Sequence, residues 1–60
     1  MRIHAEDLAA GDTLLLHDWR LHIVEVVYDT AVGVLTAEFG FLLHFPPREV
    51  VEVRRRAAAA

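Results

Sequence analysis

Short runs of alternating apolar and polar residues, separated by turn signals, run through this chain and predict strands rather than helices. The clearest pair is Thr13-Leu14-Leu15-Leu16-His17 and Leu21-His22-Ile23-Val24, joined through Asp18-Trp19-Arg20. Pairing Leu16 with Leu21 also sets Leu14 opposite Ile23, so that four apolar side chains share one face and Leu15 faces His22 on the other. A two-residue primed turn would force positive φ on Asp18 and Trp19, which suits tryptophan badly. A four-residue loop, His17 to Arg20, keeps the register at less strain. In this arrangement Leu16 is core, and Leu16→Ala is expected to cost about 2–5 kcal/mol.

Beyond Ile23 the alternation changes phase, because the next apolar set is Val24, Val26 and Tyr28. A bulge near Val24-Glu25 reconciles the two halves and bends the strand. Asp29-Thr30 predicts a turn into a strand from Val32 to Glu38. Phe39-Gly40 turns the chain again into Phe41-Leu42-Leu43-His44-Phe45, with Phe41, Leu43 and Phe45 on one face. Pro46-Pro47 ends that strand, since proline has no N–H to give a ladder, and Pro47-Arg48-Glu49 suits a 3₁₀ turn. Val50 to Arg54 makes the last strand, with Val51 and Val53 inward. Before all of this, Ile3 and Leu8 anchor a lead-in over residues 1–12. Asp7 can cap a helical turn at Leu8-Ala9-Ala10, with Gly11 as its left-handed end; an irregular loop pinned by Ile3 and Leu8 is the alternative.

The expected fold class is therefore all-β: five short antiparallel strands bent into a small barrel over residues 1–54, with a 3₁₀ turn before the last strand and a frayed Arg/Ala tail over 55–60. The opening His4-Ala5-Glu6-Asp7-Leu8-Ala9-Ala10-Gly11-Asp12-Thr13-Leu14 resembles the Asp-Leu-x-x-Gly-Asp lead into the first strand of several small β modules. With a Pro-Pro turn before a valine-rich final strand, the layout of residues 3–53 is similar to SH3-like barrels, many of which bind peptides or nucleic acids. Hint domains open in a similar way. Their chemistry needs a nucleophilic cysteine or serine, and this chain has neither.

Composition adds a constraint. A chain of 60 residues buries only about 60% of the surface its unfolded form exposes, and small domains compensate with disulfides, metals or association. Cysteine is absent and 55% of the residues are hydrophobic, which leaves apolar surface for a partner and points to self-association as a homodimer. No apolar run approaches the roughly 20 residues of a membrane span, and residues 1–10 lack the pattern of a secretory signal, so a cytoplasmic location is expected. Residues 1–53 hold nine acids and three arginines, a net charge of −6; Arg54, Arg55 and Arg56 bring the chain to −3. An acidic body disfavours a phosphate backbone, whose binding depends on neutralising phosphates.

The sequence offers little chemistry. Thr13, Thr30, Thr36 and Tyr28 carry the only side-chain hydroxyls, none in a motif with a base, and Gly11, Gly33 and Gly40 are isolated, so no phosphate loop exists. His4, His17, His22 and His44 lack the spacing that sets two imidazoles on one face. No enzyme, metal or cofactor is implied. What remains is binding. Trp19 is the only tryptophan and sits at a predicted hairpin tip beside Arg20; these two residue types dominate interface energetics. Asp18 can fix that loop through a backbone amide. Alternatively Trp19 folds back over Leu21 or Val27 and seals the barrel, while Phe39, Phe41 and Phe45 are read as core.

Two functions follow. The first is a non-enzymatic protein-interaction module, self-associating and acting as an accessory or regulatory factor such as those of phages and plasmids, with Trp19, Arg20 and Asp18 at its contact. The second is a nucleic-acid-binding barrel using Trp19, Arg20, Arg54, Arg55 and Arg56. Either way far-UV circular dichroism should be that of a β protein, and a helix-dominated spectrum would contradict the fold.

Overall fold

One long strand sets the architecture. In a computed structural model, which describes residues 1–55, the segment Trp19–Tyr28 (β3) is continuous over ten residues. Its first half pairs antiparallel with Thr13–Leu16 (β2), and its second half pairs with Val32–Thr36 (β4). The register slips between Ile23 and Glu25, where the change of phase predicted a bulge. The slip lets Leu21 and Ile23 before it, and Val26 after it, all face inward, and it bends the strand so that β2 and β4 wrap round one core.

Leu42–Phe45 (β5) extends the sheet beyond β4, and Val50–Arg54 (β6) returns to pair with β2. The sheet carries six strands rather than five, because Arg2–His4 (β1) adds to the outside of β6 through Arg2↔Glu52, Ile3↔Val51 and His4↔Val50. Three residues of polar–apolar–polar character are too short to read as a strand. Only the arrival of β6 from the far end of the chain gives them a ladder. The order is β1-β6-β2-β3-β4-β5, all antiparallel, and β1 and β5 are its two edges.

The predicted 3₁₀ turn lies elsewhere. Ala5–Asp7 forms it, whereas Pro47-Arg48 is a single β-turn closed by the Glu49 N–H donating to the Pro46 carbonyl at 3.1 Å. The two are joined: the Ala5 N–H donates to the Glu49 carbonyl (2.8 Å) and the Glu6 N–H to the Pro47 carbonyl (2.9 Å). Asp12, not Asp7, caps the lead-in. Its nearly buried carboxylate accepts the Ala9 N–H at 3.1 Å, and Gly11, at φ +96°, completes the Ala9–Asp12 turn in a conformation that glycine alone adopts cheaply.

The first hairpin is tighter than predicted. Leu16 pairs with Trp19 and Leu14 with Leu21, so the loop is His17-Asp18 and the register differs by two residues from the expected one. A shift of two preserves the faces, so Leu14, Leu16, Leu21 and Ile23 still point the same way. The positive φ falls on His17 (55°) alone, the pattern of a II′ turn. Histidine tolerates this better than tryptophan would, and the extra pairs Leu15↔Arg20 and Leu16↔Trp19 offset the cost.

Leu14, Leu21, Val32, Val34 and Val53 are fully buried, with Ala5, Leu8, Ile23 and Val51 around them. Residues of β2, β3, β4 and β6 share this one cluster, so the sheet must curl. Leu16 lies only half-buried at its margin. Truncation at Leu14 is therefore the damaging one. We expect Leu14→Ala to cost about 2–5 kcal/mol, against a total of about 3–9 kcal/mol for a domain of this length, and Leu16→Ala clearly less. Urea denaturation of both variants checks the order.

Candidate interaction site

The curl leaves an opening between the end of the β2–β3 hairpin and β5. Leu16, Trp19 and Leu21 form one wall; Phe39, Leu43 and Phe45 form the other, and His17 and His44 stand at its rim. The cleft encloses about 410 Å³ and is mostly apolar, enough for two or three side chains of a partner and within the size range of ligand pockets. A second depression of about 470 Å³ lies over Met1, Leu15 and the end of β6, but Glu52 and Arg54 give its walls charges of both signs.

Register explains the wall. Trp19 has the same parity as Leu21 and Ile23, so the tight hairpin turns it to the inner face at the mouth of the curl. It does not seal the core. It is 58% exposed, and its ring meets Phe39 at 5.8 Å between centroids and 49° between planes. Phe39 in turn stacks on Phe41 at 5.4 Å and 24°. The three rings form a ridge along the cleft. Phe39 and Phe45 are half-buried, but Phe41, read from the sequence as core, is 59% exposed. Phe41 precedes β5 proper, where the sheet has no further strand to cover it.

The segment that carries Phe39 and Phe41 is held in place by polar contacts. The Phe39 N–H donates to the buried Thr36 hydroxyl at 3.2 Å, and the Ala37 N–H donates to the His22 carbonyl at 2.9 Å. Glu38 accepts twice from one residue, the His22 N–H at 2.8 Å and His22 Nδ1 at 2.6 Å. A carboxylate can only accept, so Nδ1 carries the proton. The imidazole bond, reinforced by the backbone one, holds the Glu38 carboxyl below its ordinary value. Glu38 was missed in the sequence because its partner, His22, is a strand away.

The residues expected to act together are separated. Arg20 follows Trp19 directly and therefore points to the opposite face, opposite Leu15. Asp18 is exposed in the turn. Arg54 ends β6. Arg55, expected in a frayed tail, is tied down: its Nε lies 3.2 Å from Asp12 Oδ1, and its terminal nitrogen donates to Asp12 Oδ2 at 3.3 Å and to the Asp7 carbonyl at 3.0 Å. Such a fork on a carboxylate that is only 5% exposed is a structural contact. Arg56 lies outside the described residues. Among the described residues no three His, Asp or Glu side chains converge as metal ligands do, and no helix is long and apolar enough to cross a membrane.

The fold thus defines a small antiparallel β module with an aromatic cleft at one end. The chain matches no protein-family model, no curated protein and no solved structure.

Because the folded value for Glu38 is depressed, its contribution to stability is complete above the ordinary carboxylate value of 4.5. That contribution is lost as pH falls from there through the lower folded value. Melting temperature measured against pH should drop in that acid window, and Glu38→Gln should flatten the drop while leaving neutral-pH folding intact.

Proposed function

We propose that this chain is a non-enzymatic protein-interaction module of SH3-like type, and that it takes an extended apolar segment of a partner in the cleft between β5 and the β2–β3 hairpin. The meander β2-β3-β4-β5, with β6 returning beside β2, supports the barrel-like layout that the resemblance implied. The observation that carries the function is the ridge Trp19–Phe39–Phe41. Its outer two rings are more than half exposed beside an apolar cleft. Large aromatic side chains left in water on so small a domain lose the burial that normally stabilises them. A partner that covers them recovers it, and a central tryptophan is commonly worth more than about 2 kcal/mol of binding.

The nucleic-acid reading draws less support. Stacking on single-stranded bases needs aromatics interleaved with free cations. Here Arg20 lies on the other face from Trp19, Arg55 is engaged by Asp12, and the body is acidic.

The test uses Trp19 as its own reporter, since it is the only tryptophan. Peptides selected against the immobilised domain from a random library should be uncharged and rich in apolar residues, and their binding should shift Trp19 emission to the blue. Trp19→Ala should weaken that binding about 30-fold or more while lowering stability by no more than about 1.5 kcal/mol, the scale of a lost ring contact. A salt-sensitive shift of a single-stranded oligonucleotide, with no peptide response, would favour the nucleic-acid reading instead.

A further inference from the structure

We propose that the partner is a second copy of this chain, and that two β5 strands pair antiparallel across a two-fold axis through Leu43, joining the two sheets edge to edge. This rests on the cleft being a protein-docking surface and names its occupant.

The two edges of the sheet are not equivalent. β1 is bonded to β6 alone, and it is short and charged: Arg2 lies 4.0 Å from Glu52 across the ladder. Charge and brevity are how natural sheets blunt an edge. β5 is bonded to β4 alone; Pro46 and Pro47 close its far end, but no charged side chain guards the strand itself. From Phe39 to Pro47 the chain reads Phe-Gly-Phe-Leu-Leu-His-Phe-Pro-Pro, its longest stretch without Asp, Glu, Lys or Arg. Phe41 and Leu42 on it are 59% and 39% exposed.

Charge then limits how a second copy can approach. The described residues 1–55 hold nine acids and five arginines, a net −4, so two copies meet at least electrostatic cost along an uncharged strip. β5 and its flanks are that strip, and the same strip on the other copy is neutral too. The pairing is self-complementary, as a two-fold interface must be.

Geometry selects the register. In a continuous sheet the inner faces stay on one side, so opposed residues must share parity. Centring on His44 would place Pro46, which has no N–H, in the ladder opposite Leu42. Centring on Leu42 would leave Phe45 unpaired. Centring on Leu43 uses every residue from Phe41 to Phe45. It sets Phe41 opposite Phe45 of the other copy on the inner face and Leu42 opposite His44 on the outer one. The strand itself spans only about 14 Å, too little for the roughly 800 Å² per partner of a stable interface. The aromatic ridge has to be part of the contact. The register delivers this by bringing Phe41 of each copy over the cleft wall formed by Phe45 of the other.

Sedimentation equilibrium on the 60-residue chain from low to high micromolar concentration should give twice the chain mass. Phe41→Lys, at an exposed position outside β5, should weaken association at least tenfold without changing the far-UV spectrum. The register is read by cross-linking, which the absence of native cysteine makes clean. Leu42→Cys and His44→Cys alter exposed outer-face positions. Mixed and mildly oxidised, they should form a disulfide-linked heterodimer at least tenfold faster than either protein alone, because opposed Cα atoms in this register fall within disulfide reach. A monomer at all concentrations would overturn the proposal. So would a dimer that Phe41→Lys leaves intact, or one in which the mixture cross-links no faster than its components. A monomer whose Trp19 emission still responds to selected peptides sinks the dimer and leaves the cleft reading standing. A monomer with no peptide response sinks both.

Discussion

The slipped register of β3 at Ile23–Glu25 is the constraint on which the rest depends. Without it, a ten-residue strand could present either Leu21 and Ile23 or Val26 to one core, but not all three, and β2 and β4 would lie in a flat sheet with two half-faces. The slip is held by backbone bonds on both sides. The Gly11 N–H donates to the Ile23 carbonyl and the Ile23 N–H to the Asp12 carbonyl. On the neighbouring residue, the His22 carbonyl accepts from Ala37, and the His22 N–H donates to Glu38. Polar groups freed at a bulge are costly when left without partners, and here each of these finds one. That requirement explains why both the Gly11-Asp12 turn and the Ala37-Glu38 segment converge on one point of β3.

The same bend creates the cleft. Because β3 serves both halves of the sheet, its first residue, Trp19, reaches the mouth of the curl on the inner face, while the segment leaving β4 brings Phe39 and Phe41 to the same mouth. A closed barrel would have filled this gap with β5 paired to another strand. In its place stand an uncharged edge and an aromatic ridge, both on the side away from Arg2 and Glu52. Electrostatics reinforces the division. Arg55 is spent on a buried carboxylate that also caps the lead-in turn, so the one basic segment of the chain begins by stabilising the fold.

Much of the architecture was legible in local pattern. The phase change after Ile23 announced the bulge, Val51 and Val53 announced the inner face of β6, and the hairpin faces were right although its loop was two residues too long. The errors share a cause. β1 is a strand only because β6 lies beside it. The 3₁₀ turn formed at Ala5–Asp7 rather than at Pro47–Glu49 because the carbonyls of Pro47 and Glu49 bond the lead-in instead of their own neighbours. Phe41 was read as core from its parity with Leu43 and Phe45, yet parity fixes a face and says nothing of whether a neighbouring strand covers it.

Period-two alternation and local residue chemistry were enough to show which residues share a face, where the long strand must bend, and that neither cysteine nor serine is available. Long-range packing was needed to set Trp19 beside Phe39 and Phe41 rather than Arg20, to commit Arg55 to Asp12, and to leave β5 as an uncharged edge. Each of these depends on which distant segments meet, and although three of the five ladders join consecutive strands, that outcome is set by the packing of the whole core.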